Sequence, residues 1–292
     1  MTRLREEDIN SIARFLKGYD ASLVRKTGHT LKQIAMRAAS ISEEEMGSAL
    51  VSCTIAVFPI TWGQGVLKGF AETVGNILSH LGANVLQTTQ TDLGGLAEAV
   101  EKRATLLFCA DDDRFVALNL PLKKVVDNAE ATAKGYVEAL ELMAGGLDGR
   151  KVLVIGGAGH LGWKAVTLLE EKRAKVSAFD INQGKLGSFA KSHPIVVERN
   201  LEESLRQYSI LFDASPAADI IRAEHIRPET LVAAPGIPLG LTKEAYDLVK
   251  DRLIHDPLQI GIATMLAEAI TYPREGIARY MPGWSARLPH ED

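Results

Sequence analysis

The stretch that most constrains this chain is Lys151–Gly162, Lys-Val-Leu-Val-Ile-Gly-Gly-Ala-Gly-His-Leu-Gly. Its four apolar β-formers, Val152 to Ile155, predict a buried parallel strand. Glycines at 157, 159 and 162 then spell G-x-G-x-x-G at the mouth of an apolar helix expected over 161–173. In a dinucleotide fold each glycine has its own task. Gly157 makes the tight turn, Gly159 lets the backbone approach a pyrophosphate, and Gly162 allows close helix–strand packing. His160 and Leu161 fill the variable slots, where a phosphate contact is open to them. The helix would aim its free N–H groups and the positive end of its dipole at that phosphate.

A lone glycine motif is weak, so its surroundings decide. A second strand, 175–179, follows the helix and ends in Asp180, 18 residues past Gly162. That spacing suits an acid on the adenosine ribose hydroxyls. No arginine stands in Ile181–Gly184 to meet a 2′-phosphate, so the expected cofactor is NAD rather than NADP. A glycine-rich turn in some other α/β protein is the alternative.

The chain has 292 residues, enough for one large domain or two modest ones. A net charge of −4 offers no basic surface for nucleic acid. No apolar run reaches the ~18 residues of a membrane helix, and the first residues carry charge where a signal peptide has an apolar core. The expectation is a cytoplasmic protein with no nucleic-acid or membrane partner. Cys53 and Cys109 each fall in an expected buried strand and read as small core residues, a reactive thiol or disulfide being the alternative.

Residues 5–40 predict two amphipathic helices broken at Thr27-Gly28. Strands are expected over 51–58, 84–87 and 105–110, with helices over 69–81 and 93–103 between them, which implies a small parallel sheet of its own. A long helix over 123–143 ends at Gly145-Gly146. The fold class is therefore α/β with two lobes. Residues 1–146 form the smaller N-terminal α/β substrate domain, including the linking helix. Residues 147–270 form a Rossmann NAD-binding domain with a parallel sheet and a return helix over 262–270. Residues 271–292 are an irregular tail that drapes over a lobe or a subunit neighbour, which admits a homodimer.

Candidate site residues lie at the carboxyl ends of strands, where open α/β sheets bind ligands. Asp111-Asp112-Asp113 follows the strand 105–110 and reads either as a solvated turn capping the next helix or as a receptor for a substrate ammonium. No histidine stands nearby, so no metal is expected. Thr61 and Trp62 lie in the loop 59–65 after the first strand, where Trp62 faces a cleft and either shapes a substrate pocket or packs on its own loop. The loop Ala214-Ser215-Pro216-Ala217 is expected under the nicotinamide ribose, and Pro235-Gly236-Ile237-Pro238 at the nicotinamide ring. His255 reads as a satisfied structural histidine or an acid/base.

Together, several stretches resemble the pyrrolysine biosynthesis dehydrogenase (PylD) family. They are Pro59-Ile60-Thr61 with Gly63 and Gly65; Ala110-Asp111-Asp112 with Phe115, Ala117, Asn119 and Leu120; Pro235-Gly236-Ile237-Pro238; and Pro257-Leu258, Ile260-Gly261, Ala263 and Met265-Leu266. The resemblance covers most of residues 1–270. It implies an NAD-dependent amine dehydrogenase of amino-acid biosynthesis. Its substrate would be the lysine–methylornithine isopeptide, 3-methyl-D-ornithyl-N6-L-lysine. The ornithine's terminal amine loses hydride to give an imine, hydrolysis leaves an aldehyde, and the α-amine closes the pyrroline ring of L-pyrrolysine. On that reading Asp111 carries the chemistry by holding an ammonium, with Asp112, and Asn119 and Asn128 take the amide or carboxylate. Two features depart from the family pattern at the substrate mouth: bulky Trp62, and Asp113-Arg114. The alternatives are another two-lobed NAD(P)-dependent dehydrogenase of amino or hydroxy acids, and a non-catalytic NAD-binding sensor.

Overall fold

The computed structural model of the chain describes residues 4–63 and 67–272. Gln64 and Gly65, and the expected tail from Pro273 onward, lie outside the described residues. Four helices come first: α1 (Glu6–Ile9), α2 (Ile12–Thr27), α3 (Leu31–Ala39) and α4 (Glu43–Ser52). The first α/β run is β1 (Thr54–Val57), α5 (Phe70–His80), β2 (Asn84–Gln87), α6 (Asp92–Glu101) and β3 (Leu106–Ala110), followed by β4 (Phe115–Asn119) and β5 (Lys124–Asp127). Helix α7 (Asn128–Ala144) leads to β6 (Lys151–Ile155), α8 (His160–Glu171), β7 (Lys175–Phe179), α9 (Gln183–Phe189), β8 (Val196–Val197), α10 (Leu201–Gln207) and β9 (Ile210–Asp213). The chain continues through β10 (Leu231–Ala233), α11 (Lys243–Val249), β11 (Leu253–Ile254) and α12 (Gln259–Ile270).

The second sheet has the order β11-β10-β9-β6-β7-β8 with every described pair parallel. Read from the glycine-bearing strand outward, this is the doubly wound dinucleotide order. The first sheet, β2-β1-β3-β4-β5, corrects the expectation of a purely parallel sheet. Strands β1, β2 and β3 are parallel, but β4 and β5 add an antiparallel edge. Residues 124–127, expected as helix, are therefore strand β5. The burial of Phe115–Asn119 alternates with period two, as a half-buried strand requires, and the helix expected from 123 begins only at Asn128.

A second correction concerns residues 51–53. Val51 and Ser52 close helix α4, and Cys53 caps it in extended conformation, so Cys53 lies outside any strand. The helix starts at Ser42, whose hydroxyl accepts from Glu45 N–H while Glu45 accepts from Ser42 N–H. That reciprocal pair is an S-x-x-E capping box, legible in the sequence and passed over. Both cysteines are half-buried free thiols, and burial, then the nearby Asp111 charge, pushes Cys109 up to about 11, which keeps it protonated and unreactive.

Helices α7 and α12 pack against each other between the sheets and carry one continuous core across them. They approach closely at Gly261, where an added Cβ would stand 2.5 Å from Thr132 Oγ1. Glu138 on α7, buried, accepts from Arg37 Nε of α3 at 2.7 Å and from Lys172 Nζ beyond α8 at 2.8 Å, so one carboxylate links helices of both halves. Among the described residues, no helix is long and apolar enough to cross a membrane.

Candidate active site

Every strand that feeds the site ends at the same crevice. Its cavity, about 250 Å3, takes walls from both halves of the chain. The β3–β4 turn supplies Asp111, α7 supplies Asn128 and Tyr136, and α8 supplies Leu161. The loops after β9 and β10 supply Ser215, Pro216, Pro235, Gly236 and Ile237, the connection from β11 to α12 supplies Asp256, and α12 supplies Gly261. Among the described residues, the ionisable side chains lining it are Asp111, Tyr136 and Asp256; no Lys, Arg or His lines it.

The glycine loop turns tightly at the start of α8. Gly156, not Gly157, carries the left-handed turn, at φ +80°, correcting the expected division of labour. An added Cβ on Gly157 would stand 2.9 Å from the Ala178 Cβ of β7, so its task is packing. Gly162 lies against the turn: its Cβ would stand 2.1 Å from Gly156 O. No side chain caps the start of α8, which leaves its first N–H groups open in front of the loop. Asp180 ends beside this loop, with Oδ2 accepting from Ala158 N–H at 2.9 Å and Oδ1 from Asn182 N–H at 2.8 Å. A pyrophosphate at the helix start and ribose hydroxyls at Asp180 fit these groups. His160 faces away from the main cavity, into a groove beside Trp163 and Lys164.

The two loops expected at the nicotinamide are held together by backbone. Gly236 N–H donates to Asp213 O at 3.0 Å, and its Cβ would stand 2.2 Å from Ser215 O. Pro238, joined to Ile237 by a cis peptide, turns toward an adjoining cavity with His255. His255 Nδ1 donates to Ala234 O at 2.7 Å, the structural alternative of its two readings. Below the loops sits Asp213, fully buried, with Oδ1 accepting from Ser215 N–H and Oγ and Oδ2 unpartnered. Burial pushes its carboxyl up to about 6, against the Ser215 bonds. A native carboxyl that holds its proton more tightly than the unfolded chain loses stability as pH rises from about 4 to about 6, at most about 3 kcal/mol. Asp213→Asn mimics the protonated acid. It should stabilise the protein by on the order of 1 kcal/mol at pH 8 and not at pH 4. Urea unfolding at both values checks this, and an equal effect at the two would refute the assignment.

The substrate side divides the candidates. Asp111 reaches the cavity, but the element after it is a strand, so it caps no helix. Its Oδ1 accepts from Asp113 N–H at 2.9 Å and Arg114 N–H at 2.7 Å, an Asx turn that fixes the carboxylate in the β3–β4 hairpin. Asn128 lines the cavity with Nδ2 directed at Met265 Sδ, 3.2 Å away. Asn119 is corrected. It is buried at the far end of β4, its Nδ2 donates to Ala269 O and its Oδ1 accepts from Leu122 N–H, so both ends of the amide serve the fold. Thr61 stands outside the cavity wall, its N–H and Oγ1 both on the Asp92 carboxylate at 2.7 Å. Trp62 is 62% exposed, and Asp112 packs beside Gly63. Arg114 pairs with Asp127 at 3.3 Å, away from the cavity.

The residues that sequence reasoning missed form the cavity's inner wall. Asp256 Oδ2 accepts from Tyr19 Oη at 2.6 Å and from Tyr136 Oη at 3.0 Å, and Oδ1 accepts from Ile260 N–H at 3.2 Å. Asp256 N–H donates to Tyr136 Oη at 2.8 Å. Burial pushes the Asp256 carboxyl above its ordinary value, and pushes both phenols well above theirs. The sequence places Asp256 after the last strand, a carboxyl-end position like that of Asp111, and this was its one available signal. Tyr136 looked like one more apolar residue on a helix.

Residues 8–126 match the family described as pyrrolysine biosynthesis protein PylD, N-terminal domain. The chain is 30% identical over 267 residues to the pyrrolysine synthase of Methanosarcina acetivorans, covering 91% of this chain and 98% of that protein. The chain belongs to the pyrrolysine synthase (PylD) family. The pyrrolysine synthase of Methanosarcina barkeri is 28% identical over 268 residues, covering 91% and 97%. Among solved structures, shikimate dehydrogenase from Aquifex aeolicus shares the fold at a TM-score of 0.52 and 14% identity, over 74% of this chain and 90% of that one. Quinate dehydrogenase from Corynebacterium glutamicum, in complex with NAD, does so at 0.52 and 12%, over 75% and 93%.

Proposed function

We propose that this pyrrolysine synthase family member is an NAD-dependent amine dehydrogenase that completes pyrrolysine. Its substrate is 3-methyl-D-ornithyl-N6-L-lysine, whose terminal primary amine is oxidised to the imine and aldehyde before the ring closes to L-pyrrolysine. The observation that carries the reading is the cavity itself. An anionic hairpin turn faces the loops after β9 and β10, and among the described residues no cationic side chain lines the cavity to compete for a bound ammonium.

When bound, the dinucleotide supplies the hydride acceptor. Gly159 would leave room for its pyrophosphate, Gly157 and Gly162 would keep the turn packed on β7 and α8, and the N–H groups of His160 and Leu161 would bind it. Asp180 would take the adenosine ribose, and Ser215, Pro216, Pro235, Gly236 and Ile237 would hold the nicotinamide end at the cavity, with Pro238 closing the loop behind them. Asp111 holds and orients the reacting amine as its counter-ion, and Asn128 takes a neighbouring amide or carboxylate. The apolar walls Phe70, Phe115 and Leu258 exclude water around the amine.

The direct test is to incubate the purified protein with NAD and the isopeptide, beside simple amino and hydroxy acids, and follow reduced nucleotide and pyrrolysine together. Turnover of the simple acids alone would favour a different two-lobed dehydrogenase. Asp180 adds a second check, because a carboxylate there repels a 2′-phosphate. The kcat/KM ratio should favour NAD over NADP, and Asp180→Ala should narrow it by a factor on the order of 10, about 1.4 kcal/mol. A wild-type preference for NADP would overturn the cofactor assignment.

A further inference from the structure

An amine reaches an enzyme at neutral pH as an ammonium, since a lysine-like amine ionises near ~10.4. Hydride can leave the adjacent carbon only when nitrogen has a lone pair to form the C=N bond. The ammonium must therefore give up a proton inside the cavity first. Three ionisable groups line that cavity: Asp111, Tyr136 and Asp256. Asp111 holds its Oδ1 on two backbone N–H groups and faces the amine as its counter-ion.

Tyr136 and Asp256 are arranged differently. The Tyr136 hydroxyl accepts from Asp256 N–H at 2.8 Å and donates toward the same residue, with Oδ2 at 3.0 Å and the carbonyl at 2.8 Å. A phenol oxygen has two lone pairs and one proton. One lone pair is used by Asp256 N–H and the proton points at Asp256, so those bonds leave the second lone pair unused, on a residue that lines the cavity. Behind Tyr136, among the described residues, the titratable groups that bear on the carboxylate are Tyr19 from α2, Tyr136 from α7 and His255 beside it in the chain, with Asp20 bearing on Tyr19 from behind.

We propose that Tyr136 accepts the proton of the substrate ammonium while passing its own to Asp256 Oδ2. The inference rests on the amine-dehydrogenase reading above. The ammonium N–H bond breaks as a Tyr136 O–H bond forms, and the former Tyr136 O–H bond breaks as an Asp256 O–H bond forms. The ammonium and carboxylate become a free amine and a carboxylic acid, with no electrons gained or lost. Burial helps from both sides, since a low dielectric strengthens the carboxylate's hold on a proton and weakens the ammonium's. Tyr136 is then a catalytic residue, and Asp256 the acceptor that acts through it.

The test compares pH profiles of kcat/KM for the isopeptide in wild type, Tyr136→Phe and Asp256→Asn. Asp256→Asn keeps the side-chain shape and one oxygen to accept from Ile260 N–H, its amide N–H turning to the phenols, whose hydroxyls can rotate to accept; NAD affinity by fluorescence titration verifies that each variant is folded. Without the relay, the rate depends on the fraction of substrate already free amine, which rises tenfold per pH unit. Each variant should fall on the order of 1000-fold near pH 7.5 and recover with that slope toward about pH 10, where wild type is flat. Variants whose profiles run parallel to wild type, merely scaled down, would overturn the relay. If the wild-type enzyme oxidises no amine, the reading of the reaction itself has failed, which is a separate outcome.

Discussion

Asp111→Asn is expected to lower kcat/KM for the isopeptide by about 30- to 1000-fold, roughly 2–4 kcal/mol, while NAD affinity stays near wild type. The substitution preserves shape and hydrogen-bonding length, so the Asx turn survives: an Asn Oδ1 accepts from Asp113 and Arg114 N–H as the carboxylate does. What disappears is the negative charge at a cavity wall that carries no cation among the described residues. An ammonium desolvated there without a counter-ion is costly, and its orientation toward the dinucleotide loops is lost as well. Steady-state kinetics with a parallel fluorescence titration of NAD separates the two terms. If the Asn variant turns over at the wild-type rate, Asp111 only shapes the hairpin. The neighbouring Asp112→Asn should matter far less, because Asp112 packs beside Gly63 outside the cavity wall.

The second large effect concerns Gly162. A methyl group there would stand 2.1 Å from Gly156 O and 2.8 Å from Gly156 C, both backbone atoms of the turn itself. The helix cannot retreat, because α8 packs on β6, β7 and α7. The turn must open, which misplaces the N–H groups meant for the pyrophosphate. Gly162→Ala should weaken NAD binding by 100-fold or more, about 3 kcal/mol, and destabilise the fold by about 1–3 kcal/mol through overpacking. Gly187→Ala is the matched control. It sits in α9 with nothing within 4 Å of its added Cβ, so it should stabilise slightly, by about 0.5–1 kcal/mol, and leave NAD binding alone. Isothermal titration of NAD and thermal melts of both variants provide the comparison. Wild-type affinity in Gly162→Ala would remove the glycine loop from the cofactor site.

The sequence by itself determined the dinucleotide half of this protein. A parallel strand buried on both faces needs a continuous apolar run, and a phosphate turn needs glycine, so Lys151–Gly162, the strand ending in Asp180 and the loops after β9 and β10 are all written in local residue choice. The neighbourhood of Asp111 was legible for the same reason, as acid at the end of an apolar strand. Local choice does not specify what an element packs against. Phe115–Asn119 and Lys124–Asp127 became an antiparallel edge because a hairpin satisfies the free edge of β3, an energy that no window of sequence contains. Asn119 looked like a ligand-binding amide until the fold set Ala269 O and Leu122 N–H against it. The Tyr19–Asp256–Tyr136 cluster joins residues separated by 237 and 120 positions, and only the packing of α2, α7 and the start of α12 brings them to one carboxylate. Hydrophobic period and glycine geometry act within a few residues, whereas partners for buried polar groups come from wherever the chain returns, and that return is what tertiary structure decides.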